Sequence, residues 1–513
     1  MRSLNLFVGL LALIALVPGW AGTQTPSQPI APVQVDGGAI GGRVENGVAT
    51  FFGMPFAAPP VGALRWRPPQ PVAAWTGTRP ARAFSPACRQ TVTWITGPQS
   101  EDCLYLNVWA PAGAKGLPVM VWIHGGGLFG GTGAQPLYDG RRLAKQGVIL
   151  VTLNYRLGVL GFFSHPELTA ESPDKASGDQ GVLDQIAALK WVQRNIAAFG
   201  GDPGRVTIFG ESAGSESVAV LVASPLAHEL FQRAIAESGN DAMPLIPQED
   251  ALFDRKAAEA QGAAFAKALG AAHLDDLRAM DADTLIRQPW TPGTFVDGHV
   301  LREDLTTTYR HHRQNDVSLL VGWNADEGRD LAPEIFGTSD FTVANYQGLI
   351  AHQLGRQPSP QLLAAYPAHT DAEAKAAMNQ FTTDYWGWRM WTWAGLQAAD
   401  GAHHAYVYYF VHSPAAPRTP CTYGCKAGHG AEIRYAFDNL GGDPRDWTAD
   451  DLRLSTEISH YWTNFAKIGD PNGDASRPWR PFDGSDPTVM RLGTDAEVRE
   501  RGALPALSLF AAP

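Results

Sequence analysis

Apolar residues fall into runs of two distinct periods along this chain. Leu117 to Ile123 and Val148 to Leu153 are near-continuous apolar stretches of strand length, the pattern of strands buried on both faces of a sheet. Leu104 to Trp109, Val206 to Phe209, Phe231 to Glu237, Val317 to Val321 and the aromatic stretch Ala405 to Val411 read as further strands. Between them the period changes. From Asp179 to Phe199, residues Val182, Ile186, Leu189, Trp191, Val192 and Ile196 recur at helical spacing and form a broad apolar stripe. An amphipathic run from Ser217 to Val222 follows the Val206 strand, and residues 251–290 and 340–400 are largely helical in pattern. Strands alternating with helices predict an α/β fold with a mixed, mostly parallel sheet wrapped by helices. Residues 36–75 are Gly- and Pro-rich, with short alternating stretches, and read as small hairpins and ordered loops. The aromatic block from Tyr385 to Trp393 spreads its rings around a helix and reads mostly as packing within a capping region.

Chemistry concentrates at the ends of these strands. Phe199 to Gly214 runs as a strand straight into Gly210-Glu-Ser-Ala-Gly214, a G-x-S-x-G pattern centred on Ser212. A strand before it and a helix behind it make this a nucleophile elbow, which lifts the serine hydroxyl above the sheet. A serine needs a base to take its proton, and the base needs an acid to fix its tautomer, in the chain order Ser, acid, His. Past the Val317 strand, Gly322-Trp-Asn-Ala-Asp-Glu-Gly328 offers two adjacent carboxylates, Asp326 and Glu327, and the residues alone leave the choice open. Past the Ala405 strand, His429 stands between Gly428 and Gly430, a setting that His403, His404, His412 and His460 lack. Attack on a carbonyl creates an oxyanion that needs preorganised N–H donors. The 117–123 strand ends in His124-Gly125-Gly126-Gly127, and Gly126, Gly127 and Ala213 are the candidate donors.

Composition narrows the class. No Gly/Ser tract, charge run or internal repeat interrupts the 513 residues after residue 36, so residues 36–513 read as one large α/β domain with long insertions. A formal charge of −11 argues against nucleic acid or an anionic membrane as partner. Arg2, the apolar run Leu4 to Val17 and the small residues Gly19 and Ala21 read as a signal peptide over residues 1–21, cut after Ala21. Residues 22–35 follow as a flexible leader, and no second stretch is long enough for a membrane anchor, which points to a secreted or periplasmic protein. Four cysteines suit export. Cys88 and Cys103 bracket a loop whose closure contributes about 3 kcal/mol in the chain-entropy account. Cys421 and Cys425 read as a small surface ring; the competing reading is a C-x3-C-x3-H metal site with His429, for which no fourth ligand stands nearby.

Taken together, the elbow stretch Phe199 to Gly214 and the stretch Glu101-Asp-Cys-Leu-Tyr-Leu-Asn-Val108 resemble the type-B carboxylesterases, a bacterial esterase and cholinesterase-like family with the α/β-hydrolase fold. Pro59-Pro-Val-Gly-Ala-Leu-Arg-Trp66, Ser224-Pro-Leu226 and Ala466-Lys-Ile-Gly-Asp-Pro-Asn-Gly473 are similar to it too, and the likeness covers about residues 35–495. The resemblance implies that the acid is Glu327, supports His429 and a Cys88–Cys103 disulfide, and implies a buried polar network that includes Glu211 and Ser238. It implies hydrolysis of a small-molecule carboxylic ester by Ser212 through an acyl-enzyme, with no metal or organic cofactor. Alternatives within that chemistry are a lipase and an esterase for a bulky natural-product or aromatic polyester, such as a mycotoxin or feruloyl-type ester. A catalytically dead adhesion domain is a third, weakened because all three triad residues are present. The Cys421/Cys425 pair and Glu216, in the helix after the elbow, depart from the family pattern.

Overall fold

The computed structural model of the chain describes residues 27–240, 254–399, 403–414, 425–442, 445–473, 477–482, 489–495 and 507–511. The expected signal peptide, residues 1–21, and residues 22–26 of the expected flexible leader lie outside them, whereas residues 28–29 and 33–35 of that leader are strands, paired with residues 43–44 and 38–40. One sheet of 11 strands dominates. Its strands are β1 (Gln28–Pro29), β2 (Arg43–Glu45), β3 (Val48–Pro55), β4 (Tyr105–Pro111), β5 (Leu117–Ile123), β6 (Ile149–Leu153), β7 (Gly201–Glu211), β8 (Arg233–Glu237), β9 (Ser318–Asn324), β10 (Ala405–Phe410) and β11 (Met490–Leu492). They lie in the order β1-β2-β3-β4-β6-β5-β7-β8-β9-β10-β11. Pairing is antiparallel from β1 to β6 and parallel from there to β11. This is the mostly parallel sheet that the alternation of strands and helices predicts.

Every strand expected from an apolar run is a member of this sheet. Val119, Met120, Val121, Trp122 and Ile123 of β5 are all fully buried, because β6 and β7 flank the strand and helices cover the sheet. Burying a Val or Ile side chain stabilises a fold by about 1.5–3 kcal/mol, so this one strand is a large share of the core. The helices that position the site are α1 (Gln180–Asn195), α2 (Ala213–Ala223), α3 (Glu327–Ile335), α4 (Asp371–Ala398) and α5 (Ala449–Ile468). The predicted stripe of α1 is buried as a unit, and the helix runs through a short 3-10 turn to stop at Gly200, whose φ of 86° ends it. Helix α4 starts with a capping box between Thr370 and Glu373. It packs on α3, β9 and β10, and Tyr385, Trp388 and Trp393 of the aromatic block are buried in that packing.

Most boundaries shift by one to three residues from the sequence expectation, and two starts shift further, each for a local reason. Strand β7 starts at Gly201 rather than Val206, because the polar turn at residues 202–205 is carried as an irregularity in the pairing with β5. Asp202 closes that turn by accepting the N–H of Gly204 at 2.9 Å. Helix α2 starts at Ala213 rather than Ser217, since its first turn, Ala-Gly-Ser-Glu, carries no apolar period. In the 36–75 stretch a hairpin forms as expected: β2 and β3 are joined by Asn46 and Gly47, both with positive φ, as a two-residue turn of the required twist demands.

The chain order reverses at β5. Strand β6 lies on one side of it and β7 on the other. In an open parallel sheet such a reversal leaves a crevice at the carboxyl ends of the strands, where ligands bind. The glycine segment leaves β5 at this point and Ser212 leaves β7.

Candidate active site

Ser212 sits between the last residue of β7 and the first of α2 with φ 57° and ψ −127°, a conformation that side-chain-bearing residues seldom adopt. The surroundings hold it there. Its N–H donates to the Glu237 carbonyl at 2.9 Å, and its own carbonyl accepts the Glu216 N–H at 2.9 Å. Both flanking glycines are required by close approach. A Cβ on Gly214 would lie 2.1 Å from the Ile123 carbonyl oxygen, and one on Gly210 would lie 2.6 Å from the backbone of Gly214. Gly214→Ala is therefore expected to lower stability by about 1–3 kcal/mol, the cost of overpacking, and to displace Ser212. An unchanged melting temperature with full activity would contradict that geometry.

His429 and Glu327 meet in the interior. Glu327 opens α3 directly after β9, and its Oε2 lies 2.6 Å from His429 Nδ1. Its Oε1 accepts the Asn324 N–H at 2.9 Å, and both side chains are buried. Asp326, the neighbouring carboxylate, points elsewhere: its Oδ2 accepts the Ala427 N–H at 3.1 Å, and its N–H donates to the Ala427 carbonyl. It thus clasps the histidine-bearing loop to the end of β9. A carboxylate on Nδ1 makes that nitrogen the N–H and leaves Nε2 as the basic one. Nε2 lies 3.3 Å from Oε1 of Glu211, the residue before Ser212, so His429 stands beside the elbow. The Trp386 ring stands perpendicular to the imidazole at 6.5 Å between ring centroids, so one ring of the aromatic block reaches the site after all.

The glycine segment closely approaches the elbow: a Cβ on Gly125 would lie 2.5 Å from the Glu211 carbonyl oxygen and 3.0 Å from Ser212 Cβ. His124 is fully buried, stacks on Tyr155 at 4.5 Å, and accepts the Tyr155 hydroxyl on its carbonyl at 2.8 Å. Burial holds its imidazole down to about 4, so it is neutral, and Nδ1 contacts the Gly125 carbonyl at 2.8 Å. Gly126 and Gly127 follow with φ of 106° and 60°. The carbonyl of Gly126 is taken by Phe129 and Gly130 N–H groups. Ala213 is the first residue of α2, where an N–H has no acceptor within the helix.

Behind these groups lies a set of buried carboxylates. Glu211 and Glu237 are register partners at the ends of β7 and β8. Glu432, one turn beyond His429, accepts from the Ser238 hydroxyl at 3.2 Å, from Tyr408 at 3.4 Å and from the Asn324 amide. The Trp462 indole donates to Glu237 at 2.8 Å. Burial, then mutual repulsion with Glu432, holds Glu237 well above the usual carboxylate range. Burial likewise pushes Glu211 up. Burial would lower the His429 imidazole, but Glu211 and then Glu327 outweigh it and hold it above its ordinary value. Glu211 and Ser238 are expected here from the sequence; Asn324, Glu237 and Glu432 are not. The signal for Glu237 was there, a carboxylate at the inner end of an apolar strand beside the elbow strand.

The remaining candidates divide as follows. Cys88 and Cys103 form a disulfide. Cys421 lies outside the described residues, so the expected Cys421–Cys425 ring and the competing Cys421, Cys425, His429 set do too. Glu216 is buried in the first turn of α2 and accepts the Thr294 hydroxyl at 3.4 Å. Among the described residues no helix is long and apolar enough to cross a membrane.

Comparison with known proteins agrees with this architecture. A family model described as the carboxylesterase family matches residues 28–507. Fumonisin B1 esterase of Sphingopyxis macrogoltabida is 40% identical over 473 residues, which cover 87% of this chain and 83% of the relative. Para-nitrobenzyl esterase of Bacillus subtilis strain 168 is 37% identical over 473 residues, covering 85% and 90%. A solved PNB esterase structure superposes with a TM-score of 0.74 at 34% identity, over 91% of this chain and 99% of that one. This chain belongs to the carboxylesterase family, has its α/β-hydrolase fold, and is a carboxylic-ester hydrolase.

Proposed function

We propose that Ser212, His429 and Glu327 carry out the hydrolysis through an acyl-enzyme. Ser212 Oγ attacks the ester carbonyl carbon while His429 Nε2 takes its proton. The carbonyl π electrons move onto oxygen, and the N–H groups of Gly126, Gly127 and Ala213 receive that oxyanion. When the tetrahedral intermediate collapses, the C–O bond to the alcohol breaks, and His429 returns the proton to the departing oxygen. Water then repeats the sequence at the acyl-serine, releasing the carboxylic acid and free Ser212. Glu327 keeps the imidazole in the tautomer with Nε2 basic and stabilises the imidazolium. The observation that carries the reading is the buried 2.6 Å contact between Glu327 and His429 beside the serine elbow. Glu211 and Ser238 belong to the supporting network.

The electrostatics give this reading a pH signature. The base works only when neutral, so kcat/KM rises with pH through the His429 pKa. Carboxylates that raise that pKa move the limb to higher pH. Glu211→Gln removes one of them and is expected to shift the limb to lower pH by about one unit, the usual size of a neighbouring charge effect. A limb that does not move would show that Glu211 does not act on His429.

The substrate is a carboxylic ester. The 40% identity to fumonisin B1 esterase favours, as a second reading, a bulky natural-product ester of that kind. Export through the N-terminal apolar run is supported by the Cys88–Cys103 disulfide, since such bonds persist in oxidising compartments. The test is kcat/KM across p-nitrophenyl esters from acetate to palmitate, with fumonisin B1 in parallel and Ser212→Ala as blank. A short-chain optimum supports a general carboxylesterase, and a long-chain optimum a lipase. Preference for fumonisin B1 over every simple ester supports the second reading, and no activity above the blank on any of them contradicts both.

A further inference from the structure

The loop closed by the Cys88–Cys103 disulfide lies against the glycine segment that follows β5. It is built firmly: residues 87–88 pair with residues 99–100, and the Gln90 N–H donates to the Gln99 side chain at 3.1 Å. The buried Gln90 carboxamide then reaches out of this loop. Its Nε2 donates to the Gly131 carbonyl at 2.8 Å and to the Cys88 carbonyl at 2.9 Å, while its Oε1 accepts the Gly131 N–H at 2.8 Å. Gly131 is thus held by one side chain at both its N–H and its carbonyl.

Gly131 in turn abuts the start of the segment. A Cβ there would lie 2.2 Å from His124 Nδ1 and 2.7 Å from the Gly125 carbonyl oxygen. The turn between them closes when the Gly130 N–H donates to the Gly126 carbonyl at 2.9 Å. Two further residues of the disulfide loop cover this turn. A Cβ on Gly130 would lie 2.8 Å from Val92 and 2.9 Å from Trp94, and one on Gly126 would lie 3.1 Å from Trp94. Residues 125–127, 130 and 131 are all glycine and have no side chains with which to hold their own conformation. Their shape is imposed from outside.

We propose that Gln90 is a positioning residue for the oxyanion: by fixing Gly131 it sets where the Gly126 and Gly127 N–H groups point. The inference rests on the reading of those N–H groups as oxyanion donors. Donors that are misaimed rather than lost weaken the transition state more than the bound ester. Gln90→Met keeps the side-chain volume and removes the clamp. Its kcat is expected to fall about 10- to 100-fold, the effect of a displacement near 1 Å, with KM within about threefold because ground-state binding is unaffected. Affinity for a trifluoromethyl ketone, whose serine adduct carries an oxyanion, falls by the same factor as kcat/KM. A merely structural role would lower the melting temperature without this proportionality. If Gln90→Met does not fold, Gln90→Asn withdraws the same groups by one methylene and is read in the same way.

Gly126→Ala, whose Cβ would lie 2.3 Å from the Gly130 carbonyl oxygen, displaces the donor N–H without touching Gln90 and separates the two ideas. If Gly126→Ala keeps full kcat, the donor reading fails and the Gln90 proposal with it. If Gly126→Ala loses kcat while folded Gln90→Met keeps kcat and ketone affinity, the donor reading stands and the Gln90 proposal is overturned. The proportional loss in Gln90→Met together with loss in Gly126→Ala supports both.

Discussion

Ser212→Ala is expected to give a folded protein whose kcat on p-nitrophenyl acetate is lower by about 10⁶-fold, the size of loss seen when a nucleophile is removed from such a triad. The change deletes one oxygen atom at a half-buried position. The elbow is held by the backbone hydrogen bonds of Ser212 to Glu237 and Glu216 and by the close approach of Gly214 to Ile123, none of which involves Oγ. Alanine carries the same strain at φ 57° as serine, so stability changes little. Circular dichroism and a melting curve check the fold, and a burst-free progress curve checks the chemistry. Residual turnover within tenfold of the parent would remove Ser212 from the mechanism.

Glu327→Gln is the second large effect, with kcat expected to fall about 10⁴-fold, as for the corresponding carboxylate-to-amide change in other triads. The cause lies in the two contacts of this side chain. The glutamine oxygen keeps the Asn324 N–H, which Glu327 Oε1 accepts at 2.9 Å. That leaves the NH₂ facing His429 Nδ1, where the carboxylate now stands at 2.6 Å. An N–H donor there forces the imidazole proton onto Nε2, and the ring can no longer take the proton of Ser212. Asp326→Asn changes a side chain bound to the Ala427 backbone and is expected to cost less than tenfold, a loop effect rather than a tautomer effect. Equal losses in the two variants would contradict the assignment of the acid.

The contrast between these two variants marks what was legible in the sequence. The elbow could be read because its chemistry is local: a strand, two glycines and a serine fall within a few consecutive residues. The choice between Asp326 and Glu327 was not legible from residue types, because it depends on which neighbour begins α3 and which caps it. One side chain turns inward to a histidine 102 positions along the chain while the other binds a backbone. The central strands were legible because burial on both faces erases polar alternation. The first turn of α2 was not, since glycines and serines chosen for close approach carry no helical period. Asn324 and Glu237 were missed because a single buried polar residue at a strand end looks like a surface residue until the ends of β7, β8 and β9 are brought together, and Glu432 because it caps a short helix in the loop after His429. Gln90 was missed for a similar reason: the glycine whose N–H and carbonyl it holds lies 41 positions away.

The proposed reaction stands or falls with an acyl-enzyme on Ser212. The most direct measurement is peptide mass spectrometry after rapid acid quench of the enzyme with a slowly deacylated p-nitrophenyl ester. The account predicts one acyl group per chain on the peptide containing Ser212, formed with the burst of p-nitrophenol and absent from Ser212→Ala. Turnover with no adduct, or an adduct on another residue that forms at the burst rate, would contradict it.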